Sequence, residues 1–341
     1  MNRVLLNTLY VMQPEGYLRL DNDTVRVERD KQTVLRVPLL HLGAIVVRGH
    51  VMISPGLLAA CAEAGIALTW LDRRDRFSAG LRGPTHGNVL LRIAQVEAWQ
   101  SPETTLSIAR AIVRGKLRNA RNTLVRRARD AAPEIAQTLR EVSAQLDALP
   151  PGVDQATDLD GLRGVEGNAA RVYFRGIDEL TRPLGFPFER RSRRPPLDPL
   201  NALLSFLYTI VIHDCASACE GVGLDPQIGW LHTIRPGRPA AALDLAEELR
   251  SSLADRLALV LLSRRQLKPS DFTAQPGGAI SLSDDARKTV LAEYQRRKQE
   301  EIPHPLFEEN IPFGLVPHVQ ARLLARYLRN DAPAYVPFIY T

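Results

Sequence analysis

At 341 residues the chain is long enough to bury two substantial hydrophobic cores, so two domains are expected. It carries 44 Lys and Arg against 38 Asp and Glu, a net charge of +6 that favours a polyanionic partner. Cys61, Cys215 and Cys219 are too few and too widely spaced for a disulfide framework, and no apolar stretch is clean enough for a membrane span.

The first part of the chain reads as short strands, around residues 5–11, 17–20, 24–28, 33–37 and 44–47. Asp21-Asn22-Asp23 and Arg29-Asp30-Lys31-Gln32 supply turns between three of them. Ser54-Pro55-Gly56 starts a helix that Gly65 stops, and a strand at 66–71 follows. Near residue 88 the apolar period becomes helical. Ser101-Pro102-Glu103 opens a long helix with Ser as its cap, and Pro133 opens another. Pro150-Pro151-Gly152 breaks the chain ahead of a helix carrying Glu166. Asp198-Pro199 begins an apolar run, 200–212, expected as a buried bundle helix that also takes Cys215 and Cys219 into the core. The expected fold is therefore α+β, with a small β-rich domain over residues 1–88 and a larger all-α domain over 89–341.

The densest chemistry lies between Trp230 and Arg250. His232 offers an imidazole nitrogen, while Asp244, Glu247 and Glu248 offer carboxylates on the helix that follows. Imidazole plus hard oxygens suits Mg2+ or Mn2+ better than a closed zinc site. Asp244 and Glu247, three apart, share a helix face, while Leu245, Leu249 and Leu253 line another. Arg235 and Arg238 in the intervening Gly/Pro loop can contact phosphate, and metal with phosphate is the chemistry of nucleases and phosphotransferases. Glu166 lies among Gly167, Ala169 and Ala170, small enough to let a second helix approach. Either Glu247 or Glu248 can serve as the helix's ligand on these grounds alone.

Four ordered blocks resemble the CRISPR-associated spacer-acquisition nuclease and integrase, the universal first Cas protein, with wording closest to its type I-C branch. They are Val165-Glu-Gly-Asn-Ala-Ala-Arg171, Asp198 to Tyr208, the His232 loop with Asp244 to Arg250, and Gln320 to Arg329. The resemblance implies that Glu166, His232 and Glu247 bind the catalytic metal, Mg2+ or Mn2+, with Asp244 supporting the site. It also implies a homodimer formed through the β-rich domain and a small CRISPR-associated partner bridging two dimers on double-stranded DNA. The location expected for such a chain, with no signal-like N-terminal segment, is the cytoplasm.

Arginine greatly outnumbers lysine, which suits forked contacts to phosphate oxygens. Arg190, Arg191, Arg193 and Arg194 form a basic loop expected to touch DNA, as are Arg235 and Arg238. A second set, Arg110, Arg114, Lys116, Arg118 and Arg121, and a third, Arg296 to Lys298, read equally well as solvated helix faces. Asn201, Tyr173 and Tyr208 are candidates for lining the pocket or for packing. The alternative from another class is a non-catalytic DNA-bridging scaffold; a hydrolase of small phosphate esters is a third.

Overall fold

The computed structural model describes residues 7–12, 15–72, 77–81, 89–307 and 310–340, and the chain divides into two compact units. The first comprises residues up to His86 with Arg287–Glu300, and the second Gly87–Ala286 with Glu301–Thr341. The expected boundary at residue 88 lies outside the described residues.

In the first unit the strands are β1 (Asn7–Val11), β2 (Glu15–Asp21), β3 (Thr24–Arg29), β4 (Gln32–Pro38), β5 (Leu42–Arg48) and β6 (His50–Ile53). Helix α1 (Pro55–Ala64), β7 (Ala67–Leu71) and β8 (Phe77–Leu81) follow. They form two four-stranded sheets, β1-β5-β7-β8 and β4-β3-β2-β6. The turns fall where the polar clusters stand: Asn22, Asp30 and Lys31 all adopt positive φ, as tight hairpins between right-twisted strands require. Ser54 Oγ accepts from Leu57 N at 3.3 Å and Gly65 closes α1 at φ +66°. Alternation along β3 turns Val25 and Val27 inward, onto a core with Leu18, Ile45, Leu57, Cys61 and Leu68. Strands β6 and β8 were not expected from the sequence. β6 is only four residues long, too short for its alternation to register.

The helical part runs α2 (Val89–Gln100), α3 (Pro102–Asp130), α4 (Pro133–Asp147), α5 (Pro150–Gln155), α6 (Leu159–Thr181) and α7 (Pro199–Val222). Then come α8 (Ala240–Leu249), a π-helical stretch Arg250–Asp255 and α9 (Arg256–Ser263) as one continuous rod. The ribbon β9 (Phe272–Ala274) with β10 (Ile280–Leu282), helix α10 (Asp284–Gln299), the ribbon β11 (Glu301–Pro303) with β12 (Asn310–Pro312), and α11 (Val316–Leu328) complete it. The two ribbons qualify the all-α expectation; three-residue strands leave no periodic signature. α10 belongs largely to the first unit, where its Gln295 Nε2 donates to Tyr10 Oη at 3.3 Å and Val290, Leu291 and Tyr294 are buried.

Side-chain caps set the helix starts. Ser101 Oγ accepts from Thr104 N at 3.2 Å, Asp158 Oδ1 from Gly161 N at 2.8 Å, and Asp198 Oδ1 from Asn201 N at 2.7 Å. Helix α7 is long and apolar enough to cross a bilayer, contrary to the sequence reading, yet its Leu200, Leu203, Leu207 and Val211 are buried in the bundle, as are Cys215 and Cys219.

Beyond α11 the chain returns as an extended tail against α3 and α8. Asn119 Nδ2 donates to Phe338 O and Glu248 O, both at 2.8 Å, and its Oδ1 accepts from Tyr340 N at 2.7 Å. Gly115 makes room for the tail, since a Cβ there would stand 2.7 Å from Pro337 Cβ. Glu248, fully buried, accepts from Tyr335 Oη at 2.6 Å, Phe338 N at 2.7 Å and Gln320 Nε2 at 2.9 Å.

Burial pushes the Glu248 carboxyl up to about 8, while those three hydrogen bonds hold it back. The folded chain thus keeps a proton that the unfolded chain releases above about pH 4.5, so stability falls as pH rises from there to about 8. Glu248→Gln keeps the shape and removes this loss. In urea titrations it should gain on the parent by about 1 kcal/mol per pH unit between pH 5.5 and 7.5. Parallel stability curves for the two proteins would show that Glu248 is not a buried acid.

Candidate metal centre and nucleic-acid interface

Asp244, in the second turn of α8 and fully buried, organises the His232 loop. Its Oδ2 accepts from Trp230 N at 2.6 Å and Leu231 N at 3.0 Å; its Oδ1 accepts from His232 N at 3.0 Å and contacts His232 Nδ1 at 2.7 Å. A carboxylate oxygen that already accepts from a backbone N–H accepts here too, so Nδ1 donates to Asp244 and Nε2 is left facing Glu247. Gly229 permits this closeness, because a Cβ there would lie 2.5 Å from Ala240 C and 2.7 Å from Asp244 Oδ2. From α6, Arg163 clamps the same loop by donating Nε and Nη2 to Leu231 O at 3.0 and 2.8 Å. Glu166 sits one turn further along that helix, so one element fixes both the loop and a carboxylate.

His232 Nε2 points at Glu247 Oε1, 3.6 Å away. Arg250 Nη1 pairs with that same oxygen at 2.7 Å, and Lys116 Nζ lies 2.6 Å from Glu247 Oε2 while also bonding Glu166 Oε1. Burial alone would raise the Glu247 carboxyl, but Arg250, Lys116 and His232 outweigh it and hold the group down at about 2. Among the described residues no three His, Cys, Asp or Glu side chains are near enough to one another to close on an ion as they stand. The Lys116 ammonium occupies the gap between the two carboxylates. Two carboxylates and an imidazole Nε2, which binds a cation once free of its proton, are nevertheless a fitting donor set for Mg2+ or Mn2+. Glu247 Oε2 is buried with the Lys116 ammonium facing it, so the oxygen already stands where a cation is held.

Glu248 faces the opposite way, into the C-terminal tail, and takes no part in this cluster. Asp244 spends both oxygens on the loop and His232. Within the basic loop, Arg190, Arg193 and Arg194 are exposed. Arg191 is half-buried at the cleft and donates to Ser192 O at 2.7 Å, Asn201 Oδ1 at 2.5 Å and Ser205 Oγ at 3.1 Å. Asn201 thereby shapes the loop, with Nδ2 on Arg190 O at 2.8 Å. Arg235 is exposed, and Arg238 is half-buried with Nη1 on Thr233 O at 3.3 Å. The second basic set is largely paired: Arg114 with Asp154, and Arg118 and Arg121 with Asp147. Arg296 pairs with Glu293 and Glu300.

A cleft beside the cluster is lined by Lys116, Glu166, Phe174, Arg193 and Arg250. Also lining it, Tyr173 and Tyr208 donate to buried Asp255 at 2.9 and 2.7 Å, and burial lifts the Asp255 carboxyl to about 6 against those bonds. Lys116, Arg163 and Arg250 were missed as site residues. Lys116 had been read as part of a basic helix face, and nothing in its spacing distinguishes it from its arginine neighbours. Arg250 carried a signal, lying three residues from Glu247 on one helix.

The family described as CRISPR associated protein Cas1 matches residues 9–296. A relative from Moorella thermoacetica, named CRISPR-associated endonuclease Cas1 1, is 50% identical and covers 99% of each chain. Among solved structures, a casposase bound to integration product superposes with TM-score 0.81 at 18% identity, over 97% of this chain and 92% of that one. A chain of a Cas6-RT-Cas1–Cas2 complex gives TM-score 0.79 at 24% identity, over 97% of this chain and 36% of its own. Both structural likenesses are of fold.

Asp244→Ala strands three buried backbone N–H groups and frees His232 to turn. Chemical denaturation should register a loss of about 3 kcal/mol or more. A loss below about 1 kcal/mol would mean that the loop does not hang on this carboxylate.

Proposed function

The chain belongs to the CRISPR-associated Cas1 family, and from that premise we propose that it is a metal-dependent DNA endonuclease and integrase that inserts short foreign segments into a CRISPR array. The observation that supports this reading is that one ammonium, Lys116, bridges Glu166 and Glu247 while the Asp244-held His232 faces Glu247. Nothing in a DNA-bridging scaffold would call for a buried carboxylate that fixes one imidazole tautomer.

Glu166, Glu247 and His232 Nε2 would hold Mg2+ or Mn2+. Bound there, such an ion supplies a Lewis acid for a phosphodiester and offsets charge in its transition state. The protein's own groups do the rest. Asp244 keeps the imidazole proton on Nδ1. Arg250 fixes Glu247 Oε1 and packs over the Tyr208 ring, 4.9 Å from its centroid. Arg193, on the rim of the cleft, is placed to receive a backbone phosphate, with Arg190, Arg194 and Arg235 exposed for the duplex beyond. With water as nucleophile the outcome is cleavage; with a DNA 3′-hydroxyl it is strand transfer.

The β-rich unit offers a surface suited to a homodimer. Edge strand β4 leaves Val34 and Leu35 exposed, the kind of surface that a two-fold partner covers. The fold shared with a chain of a Cas1–Cas2 complex supports a small CRISPR-associated partner bridging such dimers on double-stranded DNA. A stable monomer in light scattering at micromolar concentration would remove the dimer from this picture.

Strand transfer tests the reading directly, with a labelled prespacer, a repeat-bearing plasmid, the small partner and Mg2+ or Mn2+. Glu166→Ala and His232→Ala should each reduce product to background while circular dichroism and salt-sensitive duplex binding persist, because phosphate contacts come from arginines elsewhere. Glu248→Gln should retain transfer. Undiminished product from a folded Glu166→Ala protein would sink the assignment.

A further inference from the structure

We propose that Lys116 is a resident counter-ion of the metal centre: its ammonium holds Glu166 and Glu247 together until a divalent cation displaces it. The inference rests on the metal reading above and deepens it.

Three observations carry it. First, one ammonium contacts both carboxylates, lying 2.6 Å from Glu247 Oε2 and bonding Glu166 Oε1. Second, the oxygen it faces on Glu247 belongs to a side chain only 2% exposed, and the Lys116 ammonium is the partner that compensates its burial on that side. A buried carboxylate without a partner is costly, and two of them facing each other are costlier. Third, Lys116 has a way out. Its side chain is 15% exposed in the cleft and is a single flexible stem, whereas Arg250, which lines the same cleft and neutralises the other oxygen of Glu247, is 9% exposed and packed over the Tyr208 ring.

The residue type fits the task. In a chain whose cations are overwhelmingly arginine, this position carries a lysine. A guanidinium grips carboxylates with a rigid fork, while an ammonium is a compact point charge on a flexible stem that can rotate away. Lys116 also stands on α3, a different helix from either carboxylate, so its departure leaves α6 and α8 where they are. The arrangement keeps the ligands charged and near one another before the ion arrives. Its cost is competition: entry of a divalent ion must first release the ammonium.

The test uses the full-length protein stripped with EDTA and titrated with Mn2+ alone, free Mn2+ being followed by electron paramagnetic resonance. Lys116→Met should bind Mn2+ at least about tenfold more tightly than the parent, the smallest effect expected on removing a unit charge a few ångströms away. Lys116→Arg should show no such gain. In the unmutated protein, acetylation of Lys116 by acetic anhydride, read by mass spectrometry, should rise when Mn2+ saturates the site. That measurement decides the matter even if Lys116→Met fails to fold. Equal or weaker Mn2+ binding by a folded Lys116→Met protein, or unchanged labelling of Lys116, overturns the inference. Glu166→Gln separates it from the broader reading. If the parent and Lys116→Met bind equally and Glu166→Gln does not bind, the counter-ion is wrong and the metal centre stands. If none of them binds Mn2+, both fall.

Discussion

The fully buried carboxylate of Asp244 is the constraint on which the site depends. A loop with Gly, Pro and Arg has no regular ladder to satisfy its backbone, so its buried N–H groups need acceptors from elsewhere. Asp244 accepts from three of them and from His232 Nδ1 as well. One side chain thus converts an irregular loop into a rigid arm of α8. Arg163 completes the brace from α6, linking the His232 loop to the helix that carries Glu166. Pre-organisation of this kind is what separates a site that can position a ligand from one that is merely present.

Two adjacent glutamates on α8 illustrate how strongly environment sorts one residue type. Glu247 meets Arg250, Lys116 and His232 and stays charged; Glu248 meets Tyr335, Gln320 and a backbone N–H and holds its proton to about 8. Neutral hydrogen-bond donors soften the burial of a carboxyl but do not match the pull of two cations. Glu248 thereby becomes the anchor of the C-terminal tail, which lies across α3 at Gly115, one residue before Lys116. The tail and the Glu247–Lys116 cluster are therefore built on the two faces of the same pair of helices.

The arginines divide by a similar logic. Those with an acidic or carbonyl partner tie elements together, as Arg114 does to Asp154 and Arg191 does to Asn201. Arg190, Arg193 and Arg194, by contrast, stand exposed. The π-helical stretch after α8 brings Arg250 toward Glu247 and Asp255 toward the two tyrosines, a local irregularity of the sort that recurs where helices carry function.

What the sequence determined by itself was whatever is written in local pattern. Period-two alternation in the first eighty residues, Ser-Pro and Asp-Pro helix starts, and positive-φ turn residues such as Asn22 and Asp30 all report on near neighbours, so the β-rich and helical halves were legible. His232 and Asp244 were legible as chemistry because they stand twelve residues apart. Tertiary structure alone decided the rest. Glu247 and Glu248 are equivalent in composition and differ only in what packs against them. Lys116 was indistinguishable from the basic residues around it until α3 brought it 50 residues forward in sequence to Glu166. Helix α10 reads as a polar helix among helices, yet it belongs with the strands of the first unit, because burial of Val290, Leu291 and Tyr294 is settled by long-range packing and not by period. Charge and hydrogen-bond partners drawn from distant segments set the state of each group, and no local spacing encodes them.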